Sequence, residues 1–300
     1  MQPVYLIDAS VYIFRAHFAL PATLTDGDGL PFNAAYGFAN FLCDLLERTR
    51  PTSMAVAFDE SLTSSFRNEI YAPYKANREP APPELERQFS ACGALARAVG
   101  LLTLSSHRYE ADDLIGTLAA RARAAGGTVV IVSRDKDLAQ LLEDGDTLWD
   151  YAADVRFDAA AVAERFGVSP RQIPDFLALA GDPVDNIPGV PGIGPKTAAA
   201  LLAHLPDLDT LLGELDRVAA LPIRGARAVA ARLQAGAEQA RVARRLTQIP
   251  RDVPLPAQAD DWRWQPPRAD ALREWCDAAA LGKRLRARLE SLPGLWSELQ

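Results

Sequence analysis

Acidic residues recur in this chain where short apolar runs stop. The runs at 4–7 and 54–58 end at Asp8 and Asp59, and the run at 128–133 is followed by Asp135 and Asp137. Glu110, Asp112 and Asp113 open a stretch with helical spacing, and Asp182 and Asp185 lie in a turn ahead of a Gly/Pro-rich stretch. An acid directly after a buried apolar run needs a partner. Several acids in one pocket would repel and be driven to protonate, and divalent cations relieve that repulsion. All-oxygen donors suit Mg²⁺ or Mn²⁺ rather than zinc, and His17, His107 and His204 are too scattered to argue otherwise. Two such ions about 4 Å apart suit in-line displacement at a phosphodiester, one activating water and the other stabilising the leaving oxygen. Ser10 and Ser133 lie near acids but have no histidine partner, which argues against a serine triad. Blander readings stand beside this one. Glu110 and Asp113 suit a helix N-terminus, and Asp182 and Asp185 suit a turn.

The elements that would position these acids alternate. Short β-rich runs at 4–7, 54–58, 101–104 and 128–133 are separated by helical spacing at 33–46, 85–99 and 111–125. This pattern predicts an α/β fold with a mostly parallel central sheet and helices on both faces. In such a sheet the carboxyl ends of the strands share one edge, so the acids would project towards one crevice. After residue 167 strand signals fade. Alanine, leucine and arginine dominate between prolines, which predicts a helical domain. The expected division is 1–168 and 169–300. Residues 248–267 carry five prolines and two tryptophans and read as an extended strap before a final pair of helices.

The segment Gly189-Val190-Pro191-Gly192-Ile193-Gly194-Pro195-Lys196-Thr197 is the most specific short motif. Gly192 and Gly194 permit tight turning, Pro195 suits the first turn of a following helix, and amides at that helix start would grip an anion with help from Lys196. The spacing is not that of a Walker A loop. Residues 60–83 form a long connection for an α/β unit and carry Arg67, Tyr74, Lys75 and Arg78, which suggests a functional lid. Residues 221–251 hold seven arginines against the single Glu238, a candidate phosphate-backbone surface.

Composition bounds the rest. The 300 residues are 49% apolar and 24% charged, a globular balance, and the net charge of −7 excludes a generic cationic coat. Cys43, Cys92 and Cys276 are too few and scattered for a disulfide framework and are expected to pack as small apolar residues. No basic leader and no membrane-length apolar run is visible, so a soluble cytoplasmic protein is the expectation.

Taken in order, Leu6-Ile7-Asp8, Ala35-Tyr36-Gly37-Phe38, Phe58-Asp59, Ser65-Phe66-Arg67, Tyr74-Lys75-Ala76-Asn77-Arg78, Glu110-Ala111-Asp112-Asp113, Asp135-Lys136-Asp137 and the run from Gly181 to Thr197 resemble the 5′–3′ exonuclease domain of bacterial DNA polymerase I and, more broadly, the flap endonucleases. The resemblance extends from about residue 4 to 289. It implies a flap-endonuclease-like (PIN-like) sheet, an arch at 60–83 and a helix-hairpin-helix clamp around 182–205. By the same resemblance, Asp8, Asp59, Glu110 and Asp112 would hold a first Mg²⁺. Asp135, Asp137 and Asp185 would hold a second, with Asp112 able to bridge, and Asp113 and Asp182 would be supporting carboxylates; Mn²⁺ could substitute. Lys75 and Arg78 would contact the scissile phosphate, Tyr74 would offer a stacking face, and Arg67, Gly192, Gly194, Lys196 and Thr197 would contact DNA. A K⁺ ion on hairpin carbonyls is a further expectation.

The implied substrate is DNA with a 5′ single-stranded end or flap and an adjoining duplex, and a monomer is expected. Departures from the family pattern are small: Ala9 stands where glycine is usual, Phe14 where tyrosine is common, and Pro195 where an acidic or small residue is common. No polymerase region follows in the sequence, so a stand-alone nuclease is expected. Two alternatives stay open: a branched-DNA-binding protein that does not cut, and a PIN-like RNA nuclease.

Overall fold

In the computed structural model, residues 2–60 and 65–299 are described. The chain divides into two compact units. One comprises Met1–Glu60, Pro80–Arg134 and Arg251–Gln300; the other comprises Ser61–Glu79 and Asp135–Pro250.

The first unit is built on parallel strands. β1 (Val4–Asp8), β2 (Met54–Asp59), β3 (Leu102–Ser106) and β4 (Val129–Val132) lie in the order β3-β2-β1-β4. Ile7 is in register with Val56 on one side and Val132 on the other. Successive residues Leu6 and Ile7 are both fully buried. Neighbours on a strand face opposite ways, so both faces of the sheet are covered, which is why β1 and β4 read as unbroken apolar runs. Because every pairing is parallel, the carboxyl ends of all four strands lie on one edge, as the βα alternation predicts.

Helices Ala9–Ala19, Asn33–Thr49, Pro83–Ala98 and Ala111–Ala124 complete this framework. At Gly37 the second of these helices crosses the first so closely that a Cβ would meet the Ala16 Cβ at 2.4 Å. Gln88 is fully buried, and its amide oxygen accepts from the Ala34 and Ala35 N–H groups, supplying a cap that Phe32 lacks.

The proline-rich tail straps this same unit. Trp262 O accepts from Met54 N, Trp264 N donates to Thr52 O, and the Trp264 indole donates to Val99 O at 2.8 Å. Trp264 is 3% exposed, so the strap acts as core. Helices Ala269–Ala278 and Lys283–Glu298 follow.

The second unit contains a short antiparallel hairpin, β5 (Thr147–Asp150) with β6 (Val155–Phe157), closed around buried Trp149. The rest is helical. Helix Ile173–Ala180 packs against helix Ala237–Thr247, where the Thr247 hydroxyl donates to Pro174 O. Helix Pro195–His204 begins at the Gly/Pro motif, with Gly194 as its cap residue and Pro195 at its first position, as the spacing predicts.

Each compact unit is assembled from separated stretches of the chain. Ser61–Glu79 belongs with the second unit, and Arg251–Gln300 returns to the first. The strap's hydrogen bonds to Thr52, Met54 and Val99 are the physical reason for the return. Among the described residues all three cysteines are free and buried, and no helix is long and apolar enough to cross a membrane. Burial raises the Cys43 thiol to about 12.

Candidate active site

Within the first unit the strand ends place their acids as the spacing predicts. Asp8 closes β1 and is 4% exposed; its Oδ2 accepts from the Ser133 hydroxyl at 2.8 Å, just past the end of β4. Asp59 closes β2. Its Oδ1 accepts from Ala111 N at 2.8 Å, so it caps the helix that begins there, and its own N–H donates to Ser10 Oγ. Ser133 thus serves as a partner of the Asp8 carboxylate and Ser10 as a partner of the Asp59 backbone N–H, roles unlike that of a nucleophile.

Glu110 and Asp113 form a reciprocal capping box at the start of helix Ala111–Ala124, with Glu110 N donating to Asp113 Oδ2 at 3.0 Å. For Asp113, fully buried, the helix-start reading is the one this structure displays. Asp112 lies between them and is half-buried.

Within the second unit a second acid set is tightly held. Asp135 Oδ1 accepts from Asp137 N at 2.9 Å. Burial pushes both carboxyls above the usual carboxylate range; Asp135 adds to the effect at Asp137, and Asp185 adds to it at Asp135. Asp137 Oδ1 is buried with no hydrogen-bond partner among the described residues. Between these two acids Lys136 reaches Asp182 Oδ2 at 2.8 Å. Burial opposes the Lys136 charge, but Asp182, Asp137 and Asp135 outweigh it and raise the ammonium. Asp182 also accepts from Val184 N through Oδ1, and its backbone is bonded in both directions to Ile187. This hydrogen-bonded loop carries Asp185.

Three side chains of the 71–78 segment converge on Asp185. Arg78 Nη2 lies 2.5 Å from Oδ1, the Tyr74 hydroxyl donates to Oδ2 at 3.2 Å, and Lys75 Nζ lies 3.8 Å from Oδ2. Lys75 N also donates to Asp185 O. The placement of Lys75 and Arg78 beside an acid therefore emerges from the fold.

Two expectations for this segment are corrected. Tyr74 is 3% exposed and turned to Asp185, so it presents no open stacking face. Arg67 is 2% exposed; its Nε donates to Leu246 O at 2.8 Å, which makes it an internal tie and removes it from a nucleic-acid surface. Of the 60–83 connection, residues 61–64 lie outside the described residues. The remainder includes a short helix, Phe66–Ile70.

Sequence reasoning assigned no role to Lys136. Its position between two aspartates was the available signal, since a lone cation there offsets their repulsion.

At the Gly/Pro motif Gly192 adopts φ +79°, and Arg232 packs over it and donates to Gly192 O. Lys196 is exposed at the helix start. The amides of Thr197 and Ala198 are directed at Gly194 O. An anion at this end would therefore rely on the Lys196 ammonium more than on those two N–H groups.

Among the described residues no group of three or more Asp, Glu, His or Cys side chains is gathered as a ready-made metal cage. The physical reason is visible in each set: Ser133 and Ala111 N–H hold Asp8 and Asp59, and Arg78, Lys75 and Lys136 hold Asp185 and Asp182. The donor chemistry nonetheless fits hard divalent ions. The candidate ligands are carboxylates, and among the described residues Asp137 Oδ1 is a buried oxygen without a hydrogen-bond partner.

A parallel α/β unit with acids on its carboxyl edge, together with a helical unit bearing a helix-hairpin-helix turn, defines the class of structure to which this chain is related. Residues 3–167 match the 5'-3' exonuclease, N-terminal resolvase-like domain, and residues 168–270 match the 5'-3' exonuclease, C-terminal SAM fold. The chain belongs to the 5'-3' exonuclease family. It is 39% identical over 212 residues to the 5'-3' exonuclease of Aquifex aeolicus, covering 71% of this chain and 73% of that protein.

It is also 44% identical over 271 residues to DNA polymerase I of Pseudomonas aeruginosa, covering 90% of this chain and spanning 30% of that protein's length. Two solved structures share the fold. T5 5'-exonuclease with bound divalent metal ions (zinc) has a TM-score of 0.68 at 20% identity and covers 100% of both chains. The catalytic core of Rad2 in complex with DNA substrate has a TM-score of 0.62 at 14% identity, covering 97% of this chain and 91% of that one.

Proposed function

We propose that this protein is a Mg²⁺-dependent 5′–3′ exonuclease and 5′-flap endonuclease that hydrolyses DNA phosphodiester bonds in replication or repair. The observation that carries the reading is the convergence of Arg78, Lys75 and Tyr74 on Asp185, in a family whose members include a 5'-3' exonuclease. It joins an acid suited to a divalent ion with cations suited to a phosphate.

Asp8, Asp59, Glu110 and Asp112 would hold one ion, and Asp135, Asp137 and Asp185 the other. Bound, these ions supply Lewis acidity towards the phosphate and acidify water. The protein's own groups do the rest. Lys75 and Arg78 turn to the scissile phosphate and neutralise its oxygens. Ser133 orients Asp8, and Asp59 is steered by its bond to Ala111 N. Lys136 keeps its proton beside Asp182 and tempers the repulsion between Asp135 and Asp137. Asp113 and Asp182 support the acids through the capping box and the acid loop.

Gly192, Gly194, Lys196 and Thr197 would hold the duplex backbone, with the exposed arginines Arg224, Arg227, Arg241 and Arg245 extending a phosphate-binding face. The Gly189 and Gly192 carbonyls already accept from Gln239 and Arg232, so a K⁺ ion at this turn would rest on other carbonyls. The substrate is DNA with a 5′ end or flap beside a duplex, handled by a cytoplasmic monomer whose catalytic region is 1–168 and whose DNA-binding region is 169–300.

A doubly labelled 5′-flap substrate tests this. Cleavage with Mg²⁺ that EDTA stops, and that an Asp135→Ala/Asp137→Ala variant lacks, is expected. Binding without cutting in Mg²⁺ and Mn²⁺ would establish the branched-DNA-binding alternative. Faster cleavage of an RNA flap of the same sequence would establish the RNA-nuclease alternative.

A further inference from the structure

Asn77 and Asn186 have no part in the site as described so far, yet each makes a long-range bond in the second unit. Asn77 Nδ2 donates to Pro183 O at 3.0 Å, and Asn186 Nδ2 donates to Pro73 O at 2.7 Å. The two bonds run in opposite directions between the 71–78 segment and the loop that carries Asp182 and Asp185. Between them Lys75 N donates to Asp185 O at 3.0 Å. Lys75 and Asn186 both have φ +55°, the left-handed region that non-glycine residues enter rarely. Conformations of this kind persist where surrounding contacts over-determine them.

We infer that Asn77 and Asn186 are positioning residues: two side-chain amides that clip the base of the 60–83 connection to the acid loop and so fix Lys75 and Arg78 relative to Asp185. The inference rests on the proposed nuclease reading for its consequence in catalysis. Its geometry does not depend on that reading. Each amide spans more than a hundred residues of sequence, so a loop carrying two cations is held at both of its shoulders. Without the clip the cations keep their charge but lose a fixed place. Misplacement of a catalytic group by about 1 Å can cost about 10²-fold in rate.

The test uses Asn77→Ala, Asn77→Ser, Asn186→Gly and the Asn77→Ala/Asn186→Gly double variant in the full chain. Glycine at 186 relaxes the left-handed backbone, so a loss there reports the missing amide and not strain. Two readouts are taken. Amide hydrogen exchange over 71–79, in EDTA without DNA, is expected to accelerate in each variant, with the melting temperature unchanged. Steady-state flap cleavage in Mg²⁺ is expected to show kcat lowered by about 10- to 100-fold with KM within about threefold. The double variant is expected to fall no further than the worse single one, as for groups acting as a unit.

Wild-type exchange rates at 71–79, or kcat within twofold of wild type in all variants, would overturn the inference. So would losses that merely track a lowered melting temperature. If wild-type protein fails to cut any flap, the nuclease reading falls, and the exchange data alone decide whether the clip exists.

Discussion

Arg78 and Asp185 form an ion pair with Nη2 2.5 Å from Oδ1, and the carboxylate side chain is 14% exposed. One residue is a candidate for the scissile phosphate and the other for a divalent ion, so each occupies the site of the other's proposed ligand. Arg78→Ala is therefore expected to separate two effects. Flap cleavage should fall by about 10²-fold or more, in the range of losing a preorganised charge at the reacting group. Mg²⁺ or Mn²⁺ affinity without DNA, read by titration calorimetry, should stay equal or rise, because Asp185 loses a competing cation. Weaker ion binding in the variant would show that Arg78 supports the acid and does not compete for it.

The buried acids of the second unit predict a trade between stability and activity. Burial raises the Asp137 carboxyl well above the usual range, with Asp135 adding to the effect, and one oxygen has no hydrogen-bond partner among the described residues. A residue kept against its own desolvation is a stability cost that function explains. Asp137→Asn should raise the melting temperature in EDTA, by about 2–4 °C if about 1 kcal/mol is recovered in a chain of this size. It should also lose the Mg²⁺-induced stabilisation that wild type shows through linkage. Thermal melts with and without Mg²⁺ check both. A destabilised variant in EDTA would mean that the carboxylate is satisfied by the protein alone.

Much of the first unit's site was legible because its signals are local. An apolar run that stops at an acid marks a strand and its carboxyl end at once, and Asp8 and Asp59 follow that pattern. The Gly/Pro motif likewise encodes its turn in adjacent residues. What stayed hidden depends on partners far away in sequence. Arg67 and Tyr74 read as surface residues of a lid, but Leu246 O and Asp185 bury them. The capping box at Glu110 and Asp113 was one of two open readings: the acids there satisfy a helix start and suit a metal equally, and residue type alone does not choose between them. Strands β5 and β6, four and three residues long, are too short to show a period.

Acid sensitivity is expected to arise in part far from the acids of the site. Burial of Asp26 opposes its ionisation, but the Arg87 guanidinium and the Leu30 and Asp28 amides outweigh this and hold the carboxyl below its ordinary value. A carboxyl lowered on folding adds stability above its unfolded pKa, near 3.8, and loses it as pH falls through the folded value. Asp26→Asn should therefore flatten the decline in unfolding free energy below about pH 4. At pH 7 it should cost about 1.5–3 kcal/mol, the scale of hydrogen bonds to a charged group. Urea melts from pH 3 to 7 check the slope, and an unchanged slope would assign the acid sensitivity elsewhere.

Lys196 tests the hairpin as a backbone clamp. The Thr197 and Ala198 amides point at Gly194 O, so the ammonium carries more of any phosphate contact than a bare helix start would. Lys196 is exposed, and its removal should leave the fold intact. Lys196→Ala is expected to weaken duplex binding and lower the magnitude of the slope of log K against log salt by about 0.9, the loss of one phosphate contact. Divalent-ion binding should be untouched. An unchanged slope with weaker binding would mean that the residue shapes the hairpin without meeting the backbone. An unchanged affinity would move the clamp to the exposed arginines, where Arg227→Ala and Arg245→Ala would show the same slope change instead.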